Sequence, residues 1–133
     1  MSAGRVLVVD DQEDIREMAR LVLDDAGFSV ATAPSGADAL RAARAEAFDL
    51  VLLDINMPGM DGWETLKLLL ADPDVGGPKV AMFSVKSEVR DKMTSLQDGA
   101  VDFIAKPFSV DELVSRVTRI VESQPRSRSA SSR

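Results

Sequence analysis

The sequence predicts an α/β protein built around one parallel sheet with helices on both of its faces. Apolar segments of strand length alternate five times with segments whose apolar residues recur every three or four positions. Three of the strand-like segments are almost continuously apolar, as expected for strands buried on both faces. Five successive strand–helix units favour parallel pairing, because each helix returns the chain to the same end of the sheet.

The five predicted strands are short and evenly spaced along the chain. They are Arg5–Val9, Phe28–Thr32, Leu50–Leu53, Lys79–Phe83 and Val101–Ala105. The first, third and fourth are the nearly continuous apolar runs, which suits the centre of a sheet. The second strand is less uniformly apolar, and we therefore expect it at an edge.

Helical spacing and capping residues define the first three predicted helices. The apolar positions of the first are Ile15, Met18, Ala19, Val22 and Ala26. Gly27 supplies a C-terminal stop, and Ser35 is placed to cap the second helix. Asp61 and Glu64 have the spacing of a capping box at the start of the third helix, which ends before Asp72 and Pro73.

Two more helices are predicted in the C-terminal part of the chain. Ser87 is placed to begin the fourth, with Val89, Met93 and Leu96 turned inward. Ser109 and Glu112 form a capping box at the start of the fifth. The apolar stripe of the fifth helix comprises Val110, Leu113, Val114, Val117, Ile120 and Val121.

Composition excludes several classes of protein. With 133 residues, the chain is long enough for one core, and we assign residues 1–122 to a single folded domain. There is no cysteine and no histidine, which excludes disulfides, thiolate nucleophiles, Ser-His triads and histidine metal ligands. No apolar run approaches the roughly 20 residues that span a bilayer, and the N-terminus lacks the layout of a secretory signal. We expect a cytoplasmic protein without membrane insertion.

Charge argues against direct contact with nucleic acid. The net charge is −6, and three arginines but no acid lie in the segment 123–133, so the folded domain is the more acidic part. No concentrated basic patch offsets that charge, and a nucleic acid would be repelled. The last eleven residues are rich in Ser and Arg and predict a flexible tail or linker.

Polar side chains follow four of the five predicted strands. Asp10 and Asp11 follow the first strand, Asp54 the third, Ser84 the fourth and Lys106 the fifth. In an open parallel sheet, ligands bind outside the carboxyl ends of the strands. We therefore expect these five side chains to meet at one edge and form a site.

Three carboxylates at that edge favour a hard cation. At a spacing of about 5 Å, each pair would repel by roughly 3 kcal/mol at an effective dielectric near 20. A set of oxygen ligands suits Mg²⁺, or Mn²⁺, better than zinc. The alternative is that Asp10 and Asp11 cap the first helix, since Asp is favoured at N-caps.

Asp54 is the candidate nucleophile because a carboxylate can attack phosphorus and form an acyl phosphate. Lys106 and Ser84 could then contact the phosphoryl oxygens, one through charge and the other through a hydroxyl. Taken singly, Ser84 is more often a strand-end cap and Lys106 a solvated lysine.

Four ordered motifs resemble those of response-regulator receiver domains, in the same superfamily as chemotaxis receivers. They are Val-Leu-Val-Val-Asp-Asp at 6–11, Leu-Leu-Asp-Ile-Asn-Met-Pro-Gly-Met-Asp-Gly at 52–62, Phe-Ser at 83–84 and Lys-Pro-Phe at 106–108. The resemblance covers about residues 5–122. It implies a flavodoxin-like (βα)5 three-layer sandwich with strand order 2-1-3-4-5.

The resemblance also implies roles for the site residues. Asp54 would accept a phosphoryl group from a histidine kinase, a phosphotransfer protein or acetyl phosphate. Asp11 and Asp54 would bind Mg²⁺ through their side chains, Asp10 mainly through water, and Asn56 through its backbone carbonyl. The Lys106–Pro107 peptide would be cis. The chain would catalyse only its own phosphorylation and dephosphorylation.

Switching is the output that the resemblance implies. Ser84 would move toward the phosphoryl group and Phe103 would turn inward behind it, remodelling the surface of helix four, strand five and helix five for a protein target or an effector domain. Asn56 and Lys86 would tune the attack of water on the acyl phosphate. The alternative for Phe103 is an ordinary core residue.

Three rival functions remain open from the sequence. An aspartate-based phosphatase would want a second acid where Gln12 stands, and a flavin module would want a phosphate loop in place of the acidic segment 10–14. The presence of all five expected side chains argues against a phosphorylation-independent scaffold, although an intact site could go unused. We expect a free-standing protein, the alternative being the receiver part of a longer regulator.

Overall fold

The fold is a five-stranded parallel sheet with helices on both faces, as the sequence predicts. A computed structural model describes residues 3–57, 59–85, 94 and 96–123. The strands are β1 (Arg5–Val9), β2 (Ser29–Ala33), β3 (Leu50–Asp54), β4 (Lys79–Val85) and β5 (Asp102–Lys106). They pair in the order β2-β1-β3-β4-β5, so the flavodoxin-like topology is confirmed.

Four helices are described. They are α1 (Glu13–Asp25), α2 (Gly36–Ala45), α3 (Gly62–Ala71) and the C-terminal helix (Val110–Glu122). Buried residues of α2 and α3 belong to one apolar cluster with one face of the sheet. Those of α1 and the C-terminal helix belong to a second cluster with the other face. The three layers follow from the alternation of side chains along each strand, which gives both faces of the sheet an apolar surface to cover.

The predicted caps are present. The side chains of Ser35, Asp61 and Ser109 accept hydrogen bonds from the backbone N–H three residues further on. Gly27 has φ of 103° just after α1, a conformation that glycine adopts without steric cost. Local sequence therefore specifies where these helices begin and end.

Several residues of the predicted apolar stripes lie outside the core. Met18 is 40% exposed and Val110 58% exposed, while Leu23, which the prediction omitted, is fully buried in α1. Leu96, predicted to face inward, is 46% exposed. A helical repeat locates a stripe only to within a residue at its margins, and the tertiary contacts decide which margin is covered.

Part of the prediction lies outside the described residues. Ser87, Val89 and Met93 of the predicted fourth helix belong to that part, although Thr94, Leu96 and Gln97 are helical. Lys86 and the tail beyond Ser123 also lie outside the described residues. Among the described residues, every helix is too short or too polar to cross a bilayer.

Candidate functional site

The period of two along each strand brings three site residues to one face of the sheet. Val8, Leu52 and Ile104 belong to the apolar cluster under α1 and the C-terminal helix. Two residues further along the same strands, on the same face, stand Asp10, Asp54 and Lys106. The core alternation thus delivers two acids and a base to the carboxyl edge of the sheet.

Lys106 joins the two buried acids. Its Nζ lies 2.7 Å from Asp10 Oδ2 and 3.3 Å from Asp54 Oδ1. The Lys106–Pro107 peptide is cis, as the resemblance implied. The ammonium also lies 4.6 Å from the centre of the Phe83 ring, which adds a cation–π contact. The lysine is therefore held by charge on one side and by an aromatic face on the other.

The three aspartates fit a divalent cation. One carboxylate oxygen each from Asp10, Asp11 and Asp54 lie within 4.8 Å of one another. Asp10 is fully buried and Asp54 is 4% exposed, whereas Asp11 faces solvent. Oxygen ligands at this spacing, open to solvent on one side, match the preference of Mg²⁺ for a few carboxylates plus water.

The alternative of helix capping by Asp10 and Asp11 is wrong. The N-cap of α1 is Gln12, and its side chain makes no capping hydrogen bond. Asp10 Oδ1 instead accepts the backbone N–H of Gln12 at 2.9 Å, which shapes the turn before the helix. The acidic pair is therefore free of a capping role and faces the site.

Burial perturbs Asp54 strongly. Burial raises the pKa of its carboxyl from 3.8 to about 6, Lys106 opposes the rise, and the neighbouring Asp10 carboxylate adds to it. The backbone N–H of Asn56 donates to the same carboxylate. A buried carboxylate whose negative charge is costly in this position is stabilised by a cation bound beside it.

Ser84 lies inside β4 and not after it, and it is 2% exposed. Its Oγ accepts a hydrogen bond from Asn56 Nδ2 at 3.3 Å. Ser84 of β4 and Asn56, two residues beyond the end of β3, are thus brought together. Phe103 is 5% exposed and packs in the cluster under α2 and α3. Its burial agrees with both the switch prediction and the core alternative, so its role stays a prediction.

Sequence reasoning missed three contributors to the site. Arg16 in α1 donates from Nη1 to the backbone oxygen of Asp10 at 2.8 Å. Phe83 supports Lys106 and meets Phe108 edge-on, with ring centres 6.2 Å apart. A Cβ on Gly62 would lie 2.3 Å from the Asp54 backbone oxygen, so only glycine lets α3 approach β3 this closely. Of these, only Gly62 carried a local signal, the Asp-Gly pair at the start of a helix.

Comparison with known proteins agrees with this geometry. A family model for the response regulator receiver domain matches residues 6–118. The chain is 43% identical over 122 residues to the transcriptional regulatory protein PrrA of Mycobacterium tuberculosis, covering 91% of this chain and 51% of that protein. It is 42% identical over 113 residues to the DNA-binding response regulator MtrA of Mycolicibacterium smegmatis, covering 85% and 48%. The chain therefore spans about half the length of the curated relatives it matches.

Solved structures give the same result. The chemotaxis protein CheY4 of Vibrio cholerae superposes with a TM-score of 0.82 at 32% identity, covering 88% of this chain and 98% of that one. NtrX of Brucella abortus, in a complex with ATP, superposes with a TM-score of 0.87 at 34% identity, and the match covers 97% of this chain and 29% of the NtrX chain.

The fold, the acidic edge and the lysine define a flavodoxin-like α/β domain with a candidate cation site at the carboxyl ends of its strands. The family model and the relatives identify the family, which the fold alone does not. This chain belongs to the response regulator receiver family.

Proposed function

We propose that this chain is the phosphoacceptor receiver of a two-component phosphorelay, with Asp54 as the residue that is phosphorylated. One observation carries the proposal: the buried Asp54 carboxylate stands at the end of β3, within reach of Lys106 and beside Asp10 and Asp11. The donor would be a partner histidine kinase or phosphotransfer protein, with acetyl phosphate as a small substitute.

In the proposed transfer, a carboxylate oxygen of Asp54 attacks phosphorus. The new O–P bond forms as the P–N bond of the donor phosphohistidine breaks, and the donor imidazole leaves with the bond electrons. A bound Mg²⁺, held by Asp11, Asp54 and the Asn56 carbonyl with Asp10 acting mainly through water, would neutralise charge on the transferring group. Mn²⁺ could take the same place.

Lys106 is proposed to exchange partners during the reaction. Its ammonium lies between Asp10 and Asp54 and beside the Phe83 ring, and after transfer it would turn to a phosphoryl oxygen. That exchange keeps one positive charge at the reacting edge throughout. The chain would in this way catalyse only its own phosphorylation and dephosphorylation.

The proposed output is a change of surface. Ser84 would leave Asn56 and donate its hydroxyl to a phosphoryl oxygen, and Phe103 would fill the space behind it. The affected surface would be that of β5, the C-terminal helix and the segment between β4 and β5. Its target would be a protein or an effector domain in the cytoplasm. The relatives named as regulators of transcription favour an effector domain, whereas direct contact of this acidic domain with nucleic acid is not proposed.

The test is the intact mass of the protein after incubation with acetyl phosphate and Mg²⁺. We expect a gain of one phosphoryl group, which should be absent in Asp54→Asn and after removal of metal by EDTA. Asp24→Asn, at an exposed aspartate of α1, is the matched control and should behave as the unaltered protein does.

A second probe separates a slow site from a silent one. Beryllofluoride with Mg²⁺ mimics the phosphoryl group without needing a reaction. If the protein neither gains mass nor binds beryllofluoride, the phosphoacceptor proposal fails and the phosphorylation-independent scaffold takes its place.

A further inference from the structure

Lys79 is a buried lysine far from the phosphorylation edge. It is the first residue of β4, at the end of the strand opposite to Ser84, and it is 6% exposed. Lysine is rarely buried to this extent unless its charge is matched. No step of the proposed phosphoryl transfer uses it.

Every donor of the Lys79 ammonium contacts the end of the C-terminal helix. Nζ lies 2.6 Å from the backbone oxygen of Ile120, 2.8 Å from that of Ser123 and 2.9 Å from Ser123 Oγ. An ammonium has three N–H donors, so all three are satisfied. Burial lowers the pKa of Lys79, and the carboxylate of Asp49 partly offsets that effect. The charge is thus held mainly by neutral oxygens.

The helix end has a physical need for such a group. The last four carbonyls of an α-helix have no partner within the helix, and they form the negative end of the helix dipole. Ser123 Oγ also donates to the Ile120 oxygen at 2.7 Å, which closes a small network around that carbonyl. A single cation therefore binds two carbonyl oxygens at this helix end and complements the dipole.

We infer that Lys79 and Ser123 form an anchor that fixes the point and direction in which the chain leaves the domain. Both the backbone oxygen and the side chain of Ser123 are bound to a residue of the central sheet. The last turn of the helix is therefore held to β4, the strand that also carries Ser84. Ser123, where the described chain leaves the helix, is therefore positioned by the sheet.

Hydrogen exchange tests the anchor. Lys79→Met keeps the length and burial of the side chain and removes the three donors. We expect the amides of residues 120–123 to exchange about tenfold faster, with the amides of β1 and β3 unchanged. Lys67→Met, at an exposed lysine of α3, is the matched control and should leave the helix end unchanged.

A spin label gives an independent readout of the exit direction. The chain contains no cysteine, so Gln124→Cys offers one labelling site just beyond the anchor. The nitroxide spectrum should sharpen in the Lys79→Met background, because the label gains freedom when the last turn is released.

Two results would overturn the inference: exchange at residues 120–123 within twofold of the unaltered protein, or acceleration equal to that in β1 and β3. If Lys79→Met fails to fold, Ser123→Ala decides, since it removes one of the three acceptors and leaves Lys79 in place. Unchanged exchange in that variant would contradict the anchor, and a severalfold acceleration would support it.

Discussion

Lys106 lies at the carboxyl edge of the sheet, where the strands end, and Lys79 lies at the opposite edge, where the strands begin. Their ammonium groups contact different kinds of oxygen. Lys106 ends β5, and its ammonium contacts the carboxylates of Asp10 and Asp54. Lys79 begins β4, and its ammonium contacts two backbone carbonyls and a hydroxyl. Both ends bury a positive charge, but Lys106 is paired directly with two carboxylates, whereas Lys79 is bound by neutral oxygens with the Asp49 carboxylate acting on it only through its charge.

The difference in partners suggests a difference in use. Carboxylates can exchange a lysine for a metal ion or release it to a phosphoryl group, since the charges remain balanced after the exchange. Carbonyls at the end of a helix have positions fixed by the helix itself, and they carry no net charge that a metal ion would have to balance. We therefore expect the carboxyl edge to rearrange during function and the opposite edge to hold still.

The largest expected effect separates the two lysines by their role in phosphorylation. Lys106→Met should slow phosphorylation by acetyl phosphate at least about 100-fold, the scale seen when one group that stabilises transition-state charge is removed. Lys79→Met should leave that rate within about twofold. The measurement is the initial rate of mass gain with saturating Mg²⁺. Equal losses in both variants would abolish the distinction between the edges.

The second effect concerns stability. Lys79→Met should lower the free energy of unfolding by about 2 kcal/mol, because hydrogen bonds to a charged group are lost from buried carbonyls. Urea denaturation measures it, with Lys67→Met as the control.

Added Mg²⁺ should stabilise Lys79→Met and the unaltered protein equally, but should stabilise Lys106→Met more, since the cation replaces the missing charge between Asp10 and Asp54.

The third effect is a dependence of stability on pH. The pKa of Asp54 is raised from 3.8 to about 6 in the folded protein, so the folded state binds more protons than the unfolded state between those values. The stabilising contribution of protonated Asp54 is present below pH 4 and is lost as the pH rises through 6. Without metal, Asp54→Asn should therefore exceed the unaltered protein in stability at pH 7 by about 1–2 kcal/mol.

Denaturation curves from pH 4 to pH 7 in EDTA check this prediction. The difference between the two proteins should shrink toward pH 4, where Asp54 becomes protonated. The exposed variant Asp24→Asn should show no such convergence. A constant difference across the range would mean that burial does not perturb the charge of Asp54 in the way described.

The smallest effect tests whether a carbonyl-bound cation also matters at the carboxyl edge. Arg16 donates to the backbone oxygen of Asp10, much as Lys79 donates to the helix end. Arg16→Gln should weaken Mg²⁺ binding about fivefold, equivalent to the ~1 kcal/mol of one hydrogen bond. Calorimetric titration measures the affinity. Arg20→Gln, one turn further along α1, should leave it unchanged.

Sequence patterns were sufficient for most of the fold and for the membership of the site. The alternation of strands and helices, the caps at Ser35, Asp61 and Ser109, and the edge position of β2 were all predictable. These features depend on local spacing and on the rule that ligands gather at the carboxyl ends of parallel strands. Four of the five predicted side chains, Asp10, Asp11, Asp54 and Lys106, lie together at that edge, and their roles stay predictions.

Other features depended on contacts that no local pattern records. Spacing along α1 and the C-terminal helix did not distinguish the buried Leu23 from the exposed Met18 and Val110. Packing against neighbouring elements chose between them. Strands β3 and β4 also extend further than predicted, so Asp54 and Ser84 lie within the strands and not after them.

The sequence by itself determined the alternation of strands and helices and the identity of the acidic edge, because these depend on local spacing. The strand order and the family followed from the resemblance of its ordered motifs to receiver domains. The sequence also placed Lys106 at that edge, but only the tertiary structure decided the contacts of Lys79 and the two carboxylates that Lys106 joins. Lys106 lies 96 residues from Asp10, and Lys79 lies 44 residues from Ser123. The local sequence around a lysine at the end of a strand does not show which groups its ammonium will contact. Its partners depend on which distant segment the fold packs beside it, and that is a property of the assembled core.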